Sequence, residues 1–138
     1  MATRPRVTDA DYARLLRMRT RLRKFEHWSA EQAAAMGLTA SQHQLLLAIR
    51  GHGGDDGPTI GDVADYLLVR HNTAVELVNR TQELGLIDRH RDGIDHRVVR
   101  LTLTDEGVER LNALSADHLE ELARLAQVVD ELFDTLHT

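Results

Sequence analysis

At 138 residues the chain is about one domain long, and its 42% hydrophobic and 28% charged content is that of an ordinary soluble globular protein. Cysteine is absent, which excludes disulfide staples, thiolate metal ligands and thiol redox sensing, and no apolar run approaches the roughly 18 residues of a membrane span. The net charge of −5 excludes a uniformly basic nucleic-acid binder, so the position of the charge matters more than its sum.

Met1 to Arg6 lack the apolar core of a secretory signal, so a cytoplasmic chain without membrane contact is expected. A first helix is expected from Asp9 to His27, where Tyr12, Leu15, Met18, Leu22 and Phe25 recur at three- and four-residue spacing. Arg14, Arg17, Arg21 and Lys24 form a second stripe at the same spacing on another face. That stripe reads as a solvated face or a partner for acidic residues elsewhere, with phosphate contact as the alternative. Ser29 with Gln32 has the spacing of a capping box and predicts a separate short helix ending at Gly37. Thr39 with Gln42 repeats the signal and opens a helix through Leu45, Leu46 and Ile49 to Gly51. The glycine- and aspartate-rich stretch from Gly51 to Pro58 predicts a loop.

Thr59 with Asp62 starts a further helix that buries Val63, Ala64 and Leu67. After about two residues another runs from Arg70 to Leu84 and stops at Gly85. Ala74, Leu77, Val78 and Thr81 share one side of it; Asn72, Thr73, Glu76 and Arg80 lie largely on the other. Leu86 to His90 and Arg97 to Leu103 read as two strands joined by a polar, glycine-punctuated tip, hence a β-hairpin. From Asp105 onward Leu111, Leu114, His118, Leu122, Leu125, Val129, Leu132 and Leu136 alternate three and four residues apart, a heptad-like seam. It can pair with a second subunit or fold back within the monomer. Pairing is favoured, because one small domain has few other surfaces to cover so long a stripe.

Charge follows this organisation. Residues 1–28 carry eight Lys/Arg against three Asp/Glu, 70–103 carry six against five with His71, His90 and His96 in addition, and 104–138 carry two against nine. Two short helices separated by a tight turn have helix-turn-helix spacing, in which the second helix enters the major groove while the first braces it. The hairpin that follows would be a wing.

On these residues the sequence resembles the MarR (multiple antibiotic resistance regulator) family over nearly its whole length. The matching fragments, in order, are Leu38-Thr39-x-x-Gln42, Thr59-Ile60-x-x-Val63-Ala64-x-x-Leu67, Ala74-Val75-x-Leu77-Val78-Asn79-Arg80 with Gly85-Leu86-Ile87, and Asp95-x-Arg97 followed by Leu103-Thr104-x-x-Gly107. The resemblance implies a mainly α fold with a small β-hairpin, a winged helix-turn-helix over 39–103, and N- and C-terminal dimerisation helices over 9–37 and 105–138 of a single domain. It implies a transcriptional repressor that binds a pseudo-palindromic double-stranded DNA operator as a homodimer. Arg70, His71, Asn72, Thr73, Glu76 and Arg80 would then face the groove, and Arg91, Asp95, His96 and Arg97 would form the wing contact, with Asp95 orienting Arg97. An exposed ion pair that merely stabilises the hairpin is the alternative for Asp95 and Arg97.

Glu76 departs from the family pattern, which often has a basic or hydroxyl residue there. A carboxylate accepts a hydrogen bond from cytosine but repels phosphate, so it points to base reading or to discrimination against wrong sequences. The chain is also shorter than the family pattern between Gly107 and Leu114-Ser115-x-x-His118-Leu119. Family members often bind small aromatic or phenolic effectors, for which Phe25, His27, Trp28 and His43 are the candidate pocket, although an aromatic stripe at helical spacing also serves as core. No two histidines fall at i, i+4, and the set Glu26, His27, His43, His118 matches no metal template, so neither a metal nor another cofactor is expected. Phosphate loops, catalytic triads and paired carboxylates are missing, so an enzyme is not expected. The competing reading is a winged helix used as a protein-interaction module, which the acidic net charge favours.

Overall fold

The computed structural model describes residues 4–134, so Leu136 of the expected seam and the first three residues of the Met1 to Arg6 stretch lie outside the described residues. In chain order the elements are α1 (Asp9–Ala35), α2 (Ala40–Gly51), α3 (Ile60–Leu67), α4 (His71–Glu83), β1 (Ile87–Arg91), β2 (Val99–Leu103) and α5 (Asp105–Phe133). Among the described residues no helix is long and apolar enough to cross a membrane. The chain forms two compact units: residues 32–115, and the residues up to Glu31 together with those from Ala116 onward.

Local chemistry explains most helix ends. Thr8 and Asp11 cap α1 reciprocally, the Thr8 amide donating to Asp11 Oδ2 at 2.8 Å and the Asp11 amide to Thr8 Oγ1 at 3.2 Å. Thr39 with Gln42 and Thr59 with Asp62 form the two expected capping boxes at the starts of α2 and α3. At the end of α4 the Leu86 amide returns to the Thr81 carbonyl and the Gly85 amide to that of Gln82. This closure needs Gly85 in the left-handed region, where its φ is 77°.

The expected break at Ser29 does not occur. α1 continues unbroken from Asp9 to Ala35, because neither glycine nor proline interrupts that stretch. The Ser29 hydroxyl, rather than capping a new helix, is hydrogen-bonded to His118 Nε2 at 2.7 Å. The helix-turn-helix turn also takes three residues, 68–70, with Leu68 as a left-handed cap (φ 55°) that is 92% exposed. The strands sit slightly later than expected, so Arg91 ends β1 rather than opening the tip.

The core of the 32–115 unit is made by Leu38, Leu45, Leu46 and Ile49 around α2, Val63 of α3, Val78 of α4, Leu86, Ile87 and Leu101 of the hairpin, and Leu111 and Leu114 of α5. β1 and β2 are antiparallel, with Ile87 opposite Leu103 and Arg91 opposite Val99. The segment before α3 joins this sheet edge: the Leu101 amide donates to the Pro58 carbonyl at 2.9 Å and Thr59 forms a bridge with Arg100. Gly57 makes that approach possible. It holds φ 77°, and a Cβ there would run into the Leu101 carbonyl.

In the other unit Leu125, Leu132 and His118 are the buried α5 side chains of the expected seam, whereas Leu122 is 44% exposed. Trp28 lies 4.7 Å from the His118 ring and 6.0 Å from that of Phe25, centroid to centroid. Tyr12, Leu15 and Leu16 of α1 and Leu119 of α5 are more than half exposed.

Candidate nucleic-acid interface

α4 is amphipathic in the sense a reading helix requires. Ala74, Val78 and Thr81 are buried, and the Thr81 hydroxyl donates back to the Leu77 carbonyl at 2.7 Å rather than remaining unpaired. Arg70, His71, Asn72, Thr73, Glu76 and Arg80 are all exposed. Arg70 is the N-cap residue with extended backbone and makes no side-chain cap, so the first turn of α4 presents its amide groups without a capping side chain from Arg70.

The wing is organised by a residue that motif reading passed over. Asp92 Oδ2 accepts the amides of Asp95 (2.9 Å) and Ile94 (3.1 Å), and Oδ1 accepts Arg100 Nε at 2.9 Å. The Asp95 amide, the Arg100 guanidinium and the Ile94 amide together hold the Asp92 carboxyl down at about 2. Arg100 reaches on to the Gly57 carbonyl at 3.0 Å, which ties the wing to the loop that leads into α3. Arg91 Nη1 donates to the His96 carbonyl at 2.8 Å across the tip.

Asp95 and Arg97 meet in a two-pronged ion pair, Nε to Oδ1 at 3.1 Å and Nη2 to Oδ2 at 3.3 Å, and the Arg97 amide also donates to Oδ1. Those bonds lower the Asp95 carboxyl, the Arg97 side chain contributing most. The Arg97 side chain is nevertheless 91% exposed. It is therefore aimed by the carboxylate and still open to an anion on its other edges. His96 and the apolar Ile94 beside it are exposed as well. Asp95-x-Arg97 was legible as a motif; Asp92 was not, since its partners are set by the closed hairpin.

At the base of α3, His52 Nδ1 is hydrogen-bonded to Tyr66 OH at 2.7 Å. The Thr59 backbone bond, ahead of the Thr59 hydroxyl and nearby His52 and Arg100, lowers the Asp62 carboxyl and keeps the cap ionised.

The four candidate effector residues are placed differently. Phe25 and Trp28 line a hollow of about 170 Å³ with Arg21, Lys24, Glu121 and Leu125. His27 is exposed and faces Glu31 at 3.0 Å, and His43 is buried on α2. The basic stripe on α1 is correspondingly divided: Arg14 pairs with Asp11 at 2.5 Å, Arg17 is exposed, and Arg21 and Lys24 border the hollow. Among the described residues no group of three or more His, Asp and Glu side chains is placed to hold a metal ion.

Residues 36–98 match the family model described as MarR family. The chain is 24% identical over 116 residues to the HTH-type transcriptional repressor MdtR of Bacillus subtilis (strain 168), spanning 84% of this chain and 73% of that protein. Its fold matches the crystal structure of the S. aureus MepR–DNA complex with a TM-score of 0.70 at 23% identity, covering 96% of this chain and 93% of that one. The crystal structure of AbsC, a MarR family transcriptional regulator from Streptomyces coelicolor, matches with a TM-score of 0.73 at 17% identity over 97% and 96% of the two chains. These structures share the winged-helix architecture, mostly helical with one antiparallel hairpin.

Proposed function

We propose that this chain is a member of the MarR family, whose model its residues 36–98 match, and that it is a sequence-specific double-stranded DNA-binding repressor that acts as a homodimer on a pseudo-palindromic operator. The observation that carries the proposal is the exposure of one complete face of α4. Asn72, Thr73, Glu76 and Arg80 stand free while Ala74, Val78 and Thr81 are packed away. Asparagine offers adenine a paired donor and acceptor, Glu76 accepts from cytosine, and Arg70 and Arg80 suit phosphate or guanine. Arg97, aimed by Asp95, reaches the adjacent minor groove from the wing.

The exposed apolar residues of α1 and α5, Tyr12, Leu15, Leu16 and Leu119, support pairing with a second copy. Two-fold pairing sets the half-sites about one helical turn, roughly 10 bp, apart. Release by a small aromatic or phenolic effector is supported by the hollow beside Phe25 and Trp28. Arg21 and Lys24 border it, and their positive charge suits an ionised phenol or carboxyl. The protein would work in the bacterial cytoplasm, on the nucleoid.

Selecting bound fragments from random DNA and titrating the recovered palindrome against salt tests this function. A protein neutralising Z phosphates shows a log–log slope of about −0.9Z. Arg97→Ala weakens binding to all sequences and flattens the slope by about one, whereas Asn72→Ala costs about 1–3 kcal/mol at one base position and relaxes choice there. Weak binding that ignores sequence would instead support the interaction-module reading favoured by the net charge of −5.

A further inference from the structure

The two DNA-facing elements are joined by one side chain that neither the motifs nor the proposed contacts use. Arg89 lies on β1, opposite Leu101 in the hairpin register. Its Nη2 donates to Asn79 Oδ1 at 2.7 Å and its Nη1 to Gln82 Oε1 at 2.8 Å. Asn79 and Gln82 are three residues apart on α4, hence neighbours on one helix face. A planar guanidinium that spans both has its orientation fixed at two points, which a single-point lysine ammonium cannot reproduce.

From this geometry we propose that Arg89 is a positioning residue for DNA reading: it locks the wing to α4, so that the wing contact at Arg97 and the groove contacts at Asn72 and Thr73 are presented as one rigid pair. This rests on the DNA-binding function proposed above. The bonds are short, within the range of charge-assisted pairs, and both acceptors are neutral amides, held at two different nitrogens of the guanidinium. Two contacts on separate elements reinforce each other only if the linkage between them is stiff, since a loose linkage lowers the effective concentration of the second contact once the first has formed. A second, independent linkage, Asp92 through Arg100 to Gly57, ties the wing to the loop before α3 but does not reach α4.

The alternative is that Arg89 is one more phosphate contact, and the two roles separate experimentally. Operator affinity and its salt slope are measured for the full-length protein, for Arg89→Ala, Arg89→Lys and the double variant Asn79→Ala/Gln82→Ala, each checked for folding by circular dichroism. In the native background, the cycle of Arg97→Ala and Asn72→Ala is expected to show the two contacts coupled by a factor of roughly ten. Positioning predicts that this factor falls toward one in Arg89→Ala, that the Asn79/Gln82 double variant reproduces the loss, that Arg89→Lys does not restore it, and that the salt slope is unchanged.

A slope that flattens by about one in Arg89→Ala, with rescue by lysine and no effect of the Asn79/Gln82 pair, makes Arg89 a phosphate ligand and overturns the proposal. Unaltered coupling in all three variants overturns it too. If the native protein binds no DNA with sequence preference, the regulator function itself fails and the positioning role falls with it; the native titration alone reveals that outcome.

Discussion

Gly57→Ala tests whether the wing is built onto the loop before α3, and Gly54→Ala is its internal control. Both glycines lie in the same loop and both hold a left-handed backbone, φ 77° and 88°. Their surroundings differ: a Cβ on Gly54 meets open space, while one on Gly57 meets the Leu101 carbonyl. The left-handed strain, about 1 kcal/mol, applies to both, as does the gain from a stiffer unfolded chain. The clash applies only to Gly57. That carbonyl is backbone and cannot rotate aside, so β2 must move away from the loop.

The bonds at stake are Leu101 N to Pro58 O at 2.9 Å and Arg100 Nη1 to Gly57 O at 3.0 Å. At about 0.5–1.5 kcal/mol each, their loss makes Gly57→Ala about 1–3 kcal/mol more destabilising than Gly54→Ala. Urea unfolding followed by circular dichroism, at one protomer concentration because a dimer's stability depends on it, reads the difference directly. Operator binding should weaken in Gly57→Ala and not in Gly54→Ala. Equal unfolding midpoints for the two variants would refute the reasoning.

The Asp92 carboxyl is depressed from 3.8 to about 2 in the folded chain. Its contribution to wing order is therefore complete above the unfolded value and lost as pH falls through about 2; the Ile94 methyl signals in an NMR titration should shift over that window and stay constant above it. Ser29→Ala removes the partner of His118 Nε2, and thermal unfolding should show a loss of about 1 kcal/mol if that bond, rather than a helix start, is the role of Ser29.

Local chemistry was legible in the chain itself. Capping pairs such as Thr39 with Gln42 and Thr59 with Asp62 act over three residues, helical stripes over four, and a strand's alternation over two, so these signals survive without knowledge of the fold. The same locality misled at Ser29, whose spacing to Gln32 imitates a cap although its hydroxyl is engaged 89 residues away. The exposed set on α4 and the Asp95–Arg97 pair were accessible because both lie within one element or one turn.

Only the tertiary structure revealed the connections among those parts. Arg89 bonding Asn79 and Gln82, Asp92 bonding Arg100, and Arg100 reaching Gly57 across 43 residues follow no period and carry no motif. The physical reason is the range of the forces. Backbone geometry repeats with the chain and writes a pattern into composition, whereas a side-chain hydrogen bond works over about 3 Å and depends on which distant segments the folded core brings that close.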